Sequence, residues 1–323
     1  MNHPISRRSA LRQVAGTVAA AGAASILSPG LRAAEEAPAT KLKGNIHHSV
    51  SAWCYNSLFS PGRNRPAKMT FEEFCRECAK MGIESVELLS PDQWPTVKKV
   101  GLTCAMCNGP DNIGYGWNRV QHHEDLLARF ENSDKSIPEV AKNGFPNLIT
   151  FSGNRKGKDK WGDYSLSDEE GLENCVKGLK QLMPLAEKHK VTIILELLNS
   201  KVDHQGYMAD HTAWGVEVCK RVGSERLKLL YDIYHMQIME GDVIRTLRGD
   251  KGKGIGAAAP FIGHYHTGGN PGRNEIDDTQ ELNYAAIMKA IVATGYKGFV
   301  GQEFIPRGEP LVSLRKAIEI CDV

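Results

Sequence analysis

Eight short apolar runs alternate with helix-forming stretches along this chain, and that alternation restricts its fold more than any single motif does. The runs span residues 46–55, 85–89, 102–107, 147–151, 192–198, 227–233, 262–266 and 298–304. Helical candidates lie between them at 70–81, 91–100, 124–143, 167–189, 212–222, 243–247 and 282–294. Repeated strand–helix units are expected around a parallel sheet, because two parallel strands need a crossover long enough to hold a helix. Eight units predict a single (β/α)8 TIM barrel, an α/β fold. The punctuation agrees. Thr70-Phe-Glu-Glu73 has the capping-box pattern, and Gly82, Gly101, Gly144 and Gly295 stand where helices stop before the next strand. No glycine-rich dinucleotide fingerprint follows the first run, which argues against an open doubly wound sheet.

The first 34 residues read as an address rather than as part of the fold. Arg7 and Arg8, an apolar segment from Val14 to Leu27, and small residues at Ala33 and Ala34 are similar to a bacterial twin-arginine export signal. The expected organisation is a signal over 1–34, a polar lead-in over 35–43 and the barrel over 44–323, with a periplasmic destination. The apolar segment is shorter than the about 20 residues a membrane span needs. No later stretch is long and apolar enough either, so no stable membrane insertion is expected after processing. The formal charge of +2 includes four arginines and no acidic residue in 1–34, which leaves about −2 for the rest. That balance gives no basic surface for nucleic acid. Assembly into a homo-oligomer stays open.

Two of the eight cysteines' spacings, Cys75/Cys78 and Cys104/Cys107, are of the kind that binds zinc. Cys75 and Cys78 fall on the inner face of a helical stretch. Cys104 and Cys107 fall in a strand-like run, where a separation of three sends side chains to opposite faces. Packed, reduced thiols are therefore expected.

In a barrel, the C-terminal ends of the strands converge on one mouth, where catalytic side chains collect. Four successive runs each place one chemically competent residue there: Glu196, Asp232, His266 and Glu303. Their separations of 36, 34 and 37 residues are each about one βα repeat, so the quartet recurs in phase with the fold. Glu196 and Glu303 sit among apolar neighbours, and a buried carboxylate needs a partner. Three carboxylates and one imidazole suit Mn²⁺, Mg²⁺ or Co²⁺ better than a thiolate-seeking metal. Taken singly, His266 reads as a core histidine and Asp232 as a helix cap. A divalent ion beside two glutamates suits proton transfer next to a carbonyl. Glu87 is a further candidate that could instead cap a helix. Trp53, Tyr55, Trp94 and Trp117 lie near strand ends, where they could wall a pocket or fill the core. Lys251-Gly-Lys-Gly-Ile-Gly256 precedes the seventh run, on the opposite end from the site, and reads as a flexible surface loop. Arg155-Lys-Gly-Lys-Asp-Lys160 follows the fourth run and reads as a solvated loop at the active face.

Glu196-Leu-Leu-Asn199, Asp232-Ile-Tyr-His-Met-Gln237, His264-Tyr-His266, Pro271-Gly-Arg273-Asn-Glu275 and Gln302-Glu303 together resemble the xylose-isomerase-like TIM barrels. Within that family the likeness is greatest to hydroxypyruvate isomerases and next to ketose 3-epimerases. The resemblance implies a metal-dependent isomerase of a small hydroxycarbonyl compound or sugar, most simply hydroxypyruvate to tartronate semialdehyde. Glu196 and Glu303 would be both metal ligands and the acid–base pair, with Asp232 and His266 the other ligands. His235 would contact substrate oxygens, and Arg273 would hold a substrate carboxylate or hydroxyl through its planar fork. The competing reading of Arg273 is a surface ion pair with Glu275. Hydroxypyruvate isomerases tend to have glutamine where this chain has His266, and the epimerases have histidine. The alternatives are thus a ketose or modified-sugar 3-epimerase and, from another class, a non-catalytic sugar-binding barrel. A metal-dependent endonuclease on this fold would need a basic groove that the sequence does not offer.

Overall fold

A computed structural model of the protein describes residues 41–63 and 65–323. The expected signal over 1–34 and most of the lead-in lie outside the described residues. In chain order the elements are β1 (His47–Ser51), α1 (Asn56–Phe59), α2 (Phe71–Lys80), β2 (Ser85–Glu87), α3 (Trp94–Val100), α4 (His123–Asn132), α5 (Ile137–Lys142) and β3 (Asn147–Thr150). A short hairpin follows, β4 (Lys156–Asp159) and β5 (Gly162–Ser165), then α6 (Asp168–His189), β6 (Thr192–Leu197), α7 (Thr212–Val222) and β7 (Leu227–Asp232). The chain continues through α8 (Ile233–Met239), α9 (Val243–Arg248), β8 (Ile262–Thr267), α10 (Tyr284–Ala293), β9 (Phe299–Gln302) and α11 (Pro310–Cys321). Seven strands form one parallel sheet in the order β2-β1-β9-β8-β7-β6-β3.

The eighth strand expected over 102–107 is not formed as a strand. This segment does lie against both edges of the sheet. Thr103 exchanges backbone hydrogen bonds with β2 and its approach, Glu84 O and Val86 N, and Cys107 does so with Asn147 O and Ile149 N. Between them the ladder is broken by side chains. Ser85 Oγ accepts the Ala105 N–H at 2.8 Å, and Asn147 Nδ2 donates to the Ala105 carbonyl at 2.8 Å. With both backbone groups of Ala105 taken, the ladder skips this residue and resumes one position later, where Leu88 N donates to the Met106 carbonyl at 2.9 Å, so no continuous strand forms. The break also overturns the opposite-face expectation for Cys104 and Cys107, whose Sγ atoms lie 3.7 Å apart. All eight cysteines are free and buried.

Most helices begin and end where the sequence places them. The Thr70 hydroxyl accepts the Glu73 N–H, while the Glu73 carboxylate accepts from the Thr70 backbone, and Ser167 and Glu170 repeat that box at the start of α6. Gly101 closes α3 at φ +86°, a left-handed conformation that costs glycine nothing. The single helix expected over 124–143 is two, because Ser136 caps a new start just before Pro138. The helix expected over 243–247 forms as α9, and an additional helix, α8, precedes it directly after β7. The basic run at 155–160 is solvated as expected but is not a loop: the mostly exposed residues 156–159 form the first strand of the hairpin, and Arg155 pairs with Asp168 at 2.6 Å and Asp210 at 2.8 Å.

Strand alternation divides the residues into two sets. Ile193, Leu195, Leu197, Leu229 and Tyr231 belong to the large core between sheet and helices. Ile149, Ile194 and Leu230 meet Met106 in a separate small cluster inside the curl of the sheet. Two residues further along their strands, the same inner face carries Glu196 and Asp232. An apolar floor therefore lies beneath the carboxylates.

Candidate metal centre

Glu196, Asp232, His266 and Glu303 are all buried, and one potential ligand atom from each lies within 4.8 Å of every other. Parallel pairing brings this about. Asp232 is the register partner of His266, and His266 of Gly301, two residues before Glu303. His266 Nδ1 lies 2.8 Å from Glu303 Oε2 and 3.8 Å from Glu196 Oε1.

Beneath the quartet, Glu87 organises His266. Its Oε1 is 2.7 Å from His266 Nε2 and 3.1 Å from His264 Nε2, and its Oε2 accepts the Ser49 hydroxyl at 2.5 Å. A carboxylate at Nε2 fixes the ring and leaves Nδ1 turned to the other carboxylates. Gly301 makes the room: a Cβ there would stand 2.3 Å from Glu87 Oε1 and 2.9 Å from His266 Cδ2. The helix-cap reading of Glu87 is thus wrong. His264 is the residue the sequence reading missed, and its signal was its place one alternation below His266.

Arg273 does not pair with Glu275. Its Nη2 lies 2.5 Å from Glu303 Oε2 and 3.2 Å from Asp232 Oδ2, and its guanidinium stands 5.3 Å from the Trp53 ring and 5.5 Å from the Tyr234 ring. Glu275 instead accepts the backbone N–H groups of Arg307 and Gly308. Arg273 holds φ +56°, the left-handed strain that collects at functional sites. His235 is buried at the start of α8, with Nε2 3.6 Å from Asp232 Oδ2. Asp232 is also a cap, as its single-residue reading had it: its Oδ1 accepts the His235 N–H at 3.2 Å.

Of the four aromatic candidates only Trp53 borders the quartet, 38% exposed and donating from Nε1 to Glu303 Oε1 at 2.8 Å. Tyr55, Trp94 and Trp117 are core residues, packed on Phe74, Phe145 and Phe130 respectively.

The surroundings drive the two glutamates apart. Burial, then the facing Glu303, pushes Glu196 up to about 8. Burial also pushes Asp232 up, to about 6, against the pull of Arg273. Burial acts the same way on Glu303, but His266 and Arg273 outweigh it and hold that carboxyl well below the usual range. His266 is held well above its ordinary value because Glu303 and Glu87 outweigh burial.

These donors fit a divalent cation. Three acidic side chains are packed into one buried cluster, which favours a cation among them. His266 Nδ1 also faces two of them, 2.8 Å from Glu303 Oε2 and 3.8 Å from Glu196 Oε1, so its lone pair could join their oxygens around one ion.

The family model described as xylose isomerase-like TIM barrel matches residues 75–321. The chain belongs to this family. A Cupriavidus necator protein named 2-oxo-tetronate isomerase is 38% identical over 36% of this chain and 41% of its own length. A Homo sapiens protein provisionally named hydroxypyruvate isomerase is 32% identical over 74% of this chain and 85% of its own length. Among solved structures, 3-keto-D-glucoside 4-epimerase from E. coli is 17% identical with a TM-score of 0.64, covering 85% of this chain and 98% of that one. That likeness concerns the fold.

Proposed function

We propose that this chain is a metal-dependent isomerase of a small α-hydroxycarbonyl compound, with hydroxypyruvate to tartronate semialdehyde as the leading reaction. The observation that carries it is the convergence of Glu196, Asp232, His266 and Glu303 on one buried point. Relatives named as isomerases support the reaction class. Those four residues would hold the ion, and the oxygen-rich set favours Mn²⁺, Mg²⁺ or Co²⁺. When bound, a divalent ion lowers the cost of removing a proton from the carbon beside a polarised carbonyl.

The protein's own groups do the rest. One of the two glutamates takes the proton from the hydroxyl-bearing carbon, the electron pair of that C–H bond becomes the new carbon–carbon π bond, and the carbonyl π electrons move to oxygen. A proton returned to the former carbonyl carbon, with the hydroxyl proton passing to the former carbonyl oxygen, completes the 1,2-shift. Glu196 is the more readily protonated of the pair and so suits proton exchange. Trp53 and Arg273 hold Glu303 in place, and Trp53 walls one side of the mouth.

A second reading, 3-epimerisation of a ketose or modified sugar, is favoured by His266, since an imidazole completes the ligand set in the epimerases. In that case removal and return of the proton occur at one carbon. The test is to incubate the metal-loaded chain with hydroxypyruvate and a panel of ketoses in D₂O and follow deuterium uptake by NMR. Uptake with conversion of hydroxypyruvate supports the first reading, uptake at a ketose carbon supports the second, and binding without uptake shows a sugar-binding barrel. We further propose export through the twin-arginine signal over 1–34, which delivers chains already folded; fractionation of expressing cells should find the processed chain in the periplasm. Among the described residues no helix is long and apolar enough to cross a membrane.

A further inference from the structure

Asn199 lies two residues beyond β6, fully buried, and its neighbours determine which way its amide points. Its Oδ1 accepts the backbone N–H groups of Val202 and Asp203, each at 2.9 Å. A backbone N–H can only donate, so the atom it meets is the oxygen. The amide nitrogen must then be the atom facing Asp203 Oδ2 at 2.7 Å and His235 Nδ1 at 2.6 Å. Both contacts are therefore donations by Asn199. The Asp203 carboxylate, which also accepts the Tyr234 hydroxyl at 2.8 Å, takes its share without conflict. His235 Nδ1 has to accept as well, and a ring nitrogen that accepts carries no hydrogen. The ring hydrogen is left on Nε2. That atom is buried, faces the quartet and has no hydrogen-bond partner among the described residues.

We infer that Asn199 is a positioning residue that fixes the tautomer of His235, so that Nε2–H is a ready donor to an acceptor oxygen of the substrate. This rests on the isomerase reading for the identity of the ligand, but not for the tautomer. A donor set in advance selects a carbonyl oxygen, or the oxyanion that develops from it, and refuses a group that can only donate. It also needs no reorganisation as charge builds on that oxygen, which is where preorganised donors contribute most. Asp203 and Tyr234 hold Asn199 from behind, so the chain runs from Tyr234 through Asp203 and Asn199 to His235.

The test uses the full chain with ¹⁵N-labelled histidine, the His235 signals being assigned by their loss in His235→Gln. A protonated Nε2 and a bare Nδ1 are expected; the reverse overturns the assignment. The double variant Asn199→Asp with Asp203→Asn exchanges amide and carboxylate. It keeps the bond between positions 199 and 203 and an acceptor for the two backbone N–H groups, but shows His235 Nδ1 a carboxylate. The ring hydrogen should move to Nδ1, and deuterium exchange into hydroxypyruvate should fall about 100-fold, the usual cost of losing one such donor. Affinity for Mn²⁺, read by calorimetry, should be unchanged. A ring hydrogen that stays on Nε2 in the double variant, or exchange that is undiminished once it has moved, sinks the proposal. A wild-type chain that exchanges no substrate in the panel overturns the isomerase reading and the substrate half of this one, while the labelled spectra still decide the tautomer.

Discussion

Glu196 and Glu303 carry the same functional group in one cluster, yet Glu303 has a tryptophan N–H and two cationic partners while Glu196 has burial and a facing carboxylate. Glu196→Gln should lower deuterium exchange by about 10² to 10⁴, the range of a general acid or base. The same variant should melt no lower than the parent at pH 8 without metal. The sign follows from a folded pKa near 8 above an unfolded one near 4.5: the carboxyl costs stability as pH rises between the two, and the amide never ionises. Glu87→Gln tests the support of His266. Glutamine keeps the volume but replaces the acceptor at Nε2 with an amide, and Mn²⁺ affinity by calorimetry should fall about 10- to 100-fold. Asp111, at the mouth beyond β3, behaves like Glu196 without belonging to the cluster. Burial pushes it up to about 7, although Thr150 Oγ1 and Phe151 N donate to its Oδ2. Its contribution is fully favourable below pH about 4 and is lost as pH rises through 7. Asp111→Asn should flatten that part of the stability profile measured by denaturant unfolding at stepped pH.

At the scale of elements, β9 does two jobs. It delivers Glu303 to the mouth, and through Gly301 it leaves space for Glu87 and His266 to meet from either side. Gly301→Ala should keep the sheet, since β9 pairs with both β1 and β8 through its backbone. It should nonetheless weaken metal binding as much as Glu87→Gln does, because the added methyl pushes into the carboxylate. Circular dichroism with calorimetry separates the two effects. The elements themselves were largely legible in the sequence. The alternation of apolar runs with helix-forming stretches placed α2, α6 and α7 within a residue or two. The segment at 102–107 was not, because what interrupts its ladder at Ala105 is a serine hydroxyl from β2 and an asparagine amide from β3, partners distant in sequence.

For the whole molecule, a cluster of buried carboxylates above an apolar floor predicts that the metal is part of the stability. Adding Mn²⁺ to 100 times its Kd should stabilise the chain by about 2.7 kcal/mol, seen as a rise in melting temperature that a chelator reverses. A melting temperature indifferent to every divalent ion would remove the ground for the metal centre.

The sequence by itself determined the strand–helix alternation and the phase of Glu196, Asp232, His266 and Glu303 within it, because side-chain period and repeat length are local properties of the chain. Only the tertiary structure decided what those residues meet. Arg273 turned from Glu275 to Glu303 and Asp232, Glu87 came to lie under His266, and the Asn199 amide came to face His235. Each is a contact between segments tens to hundreds of residues apart, set by how the strands curl around one interior rather than by any spacing along the chain.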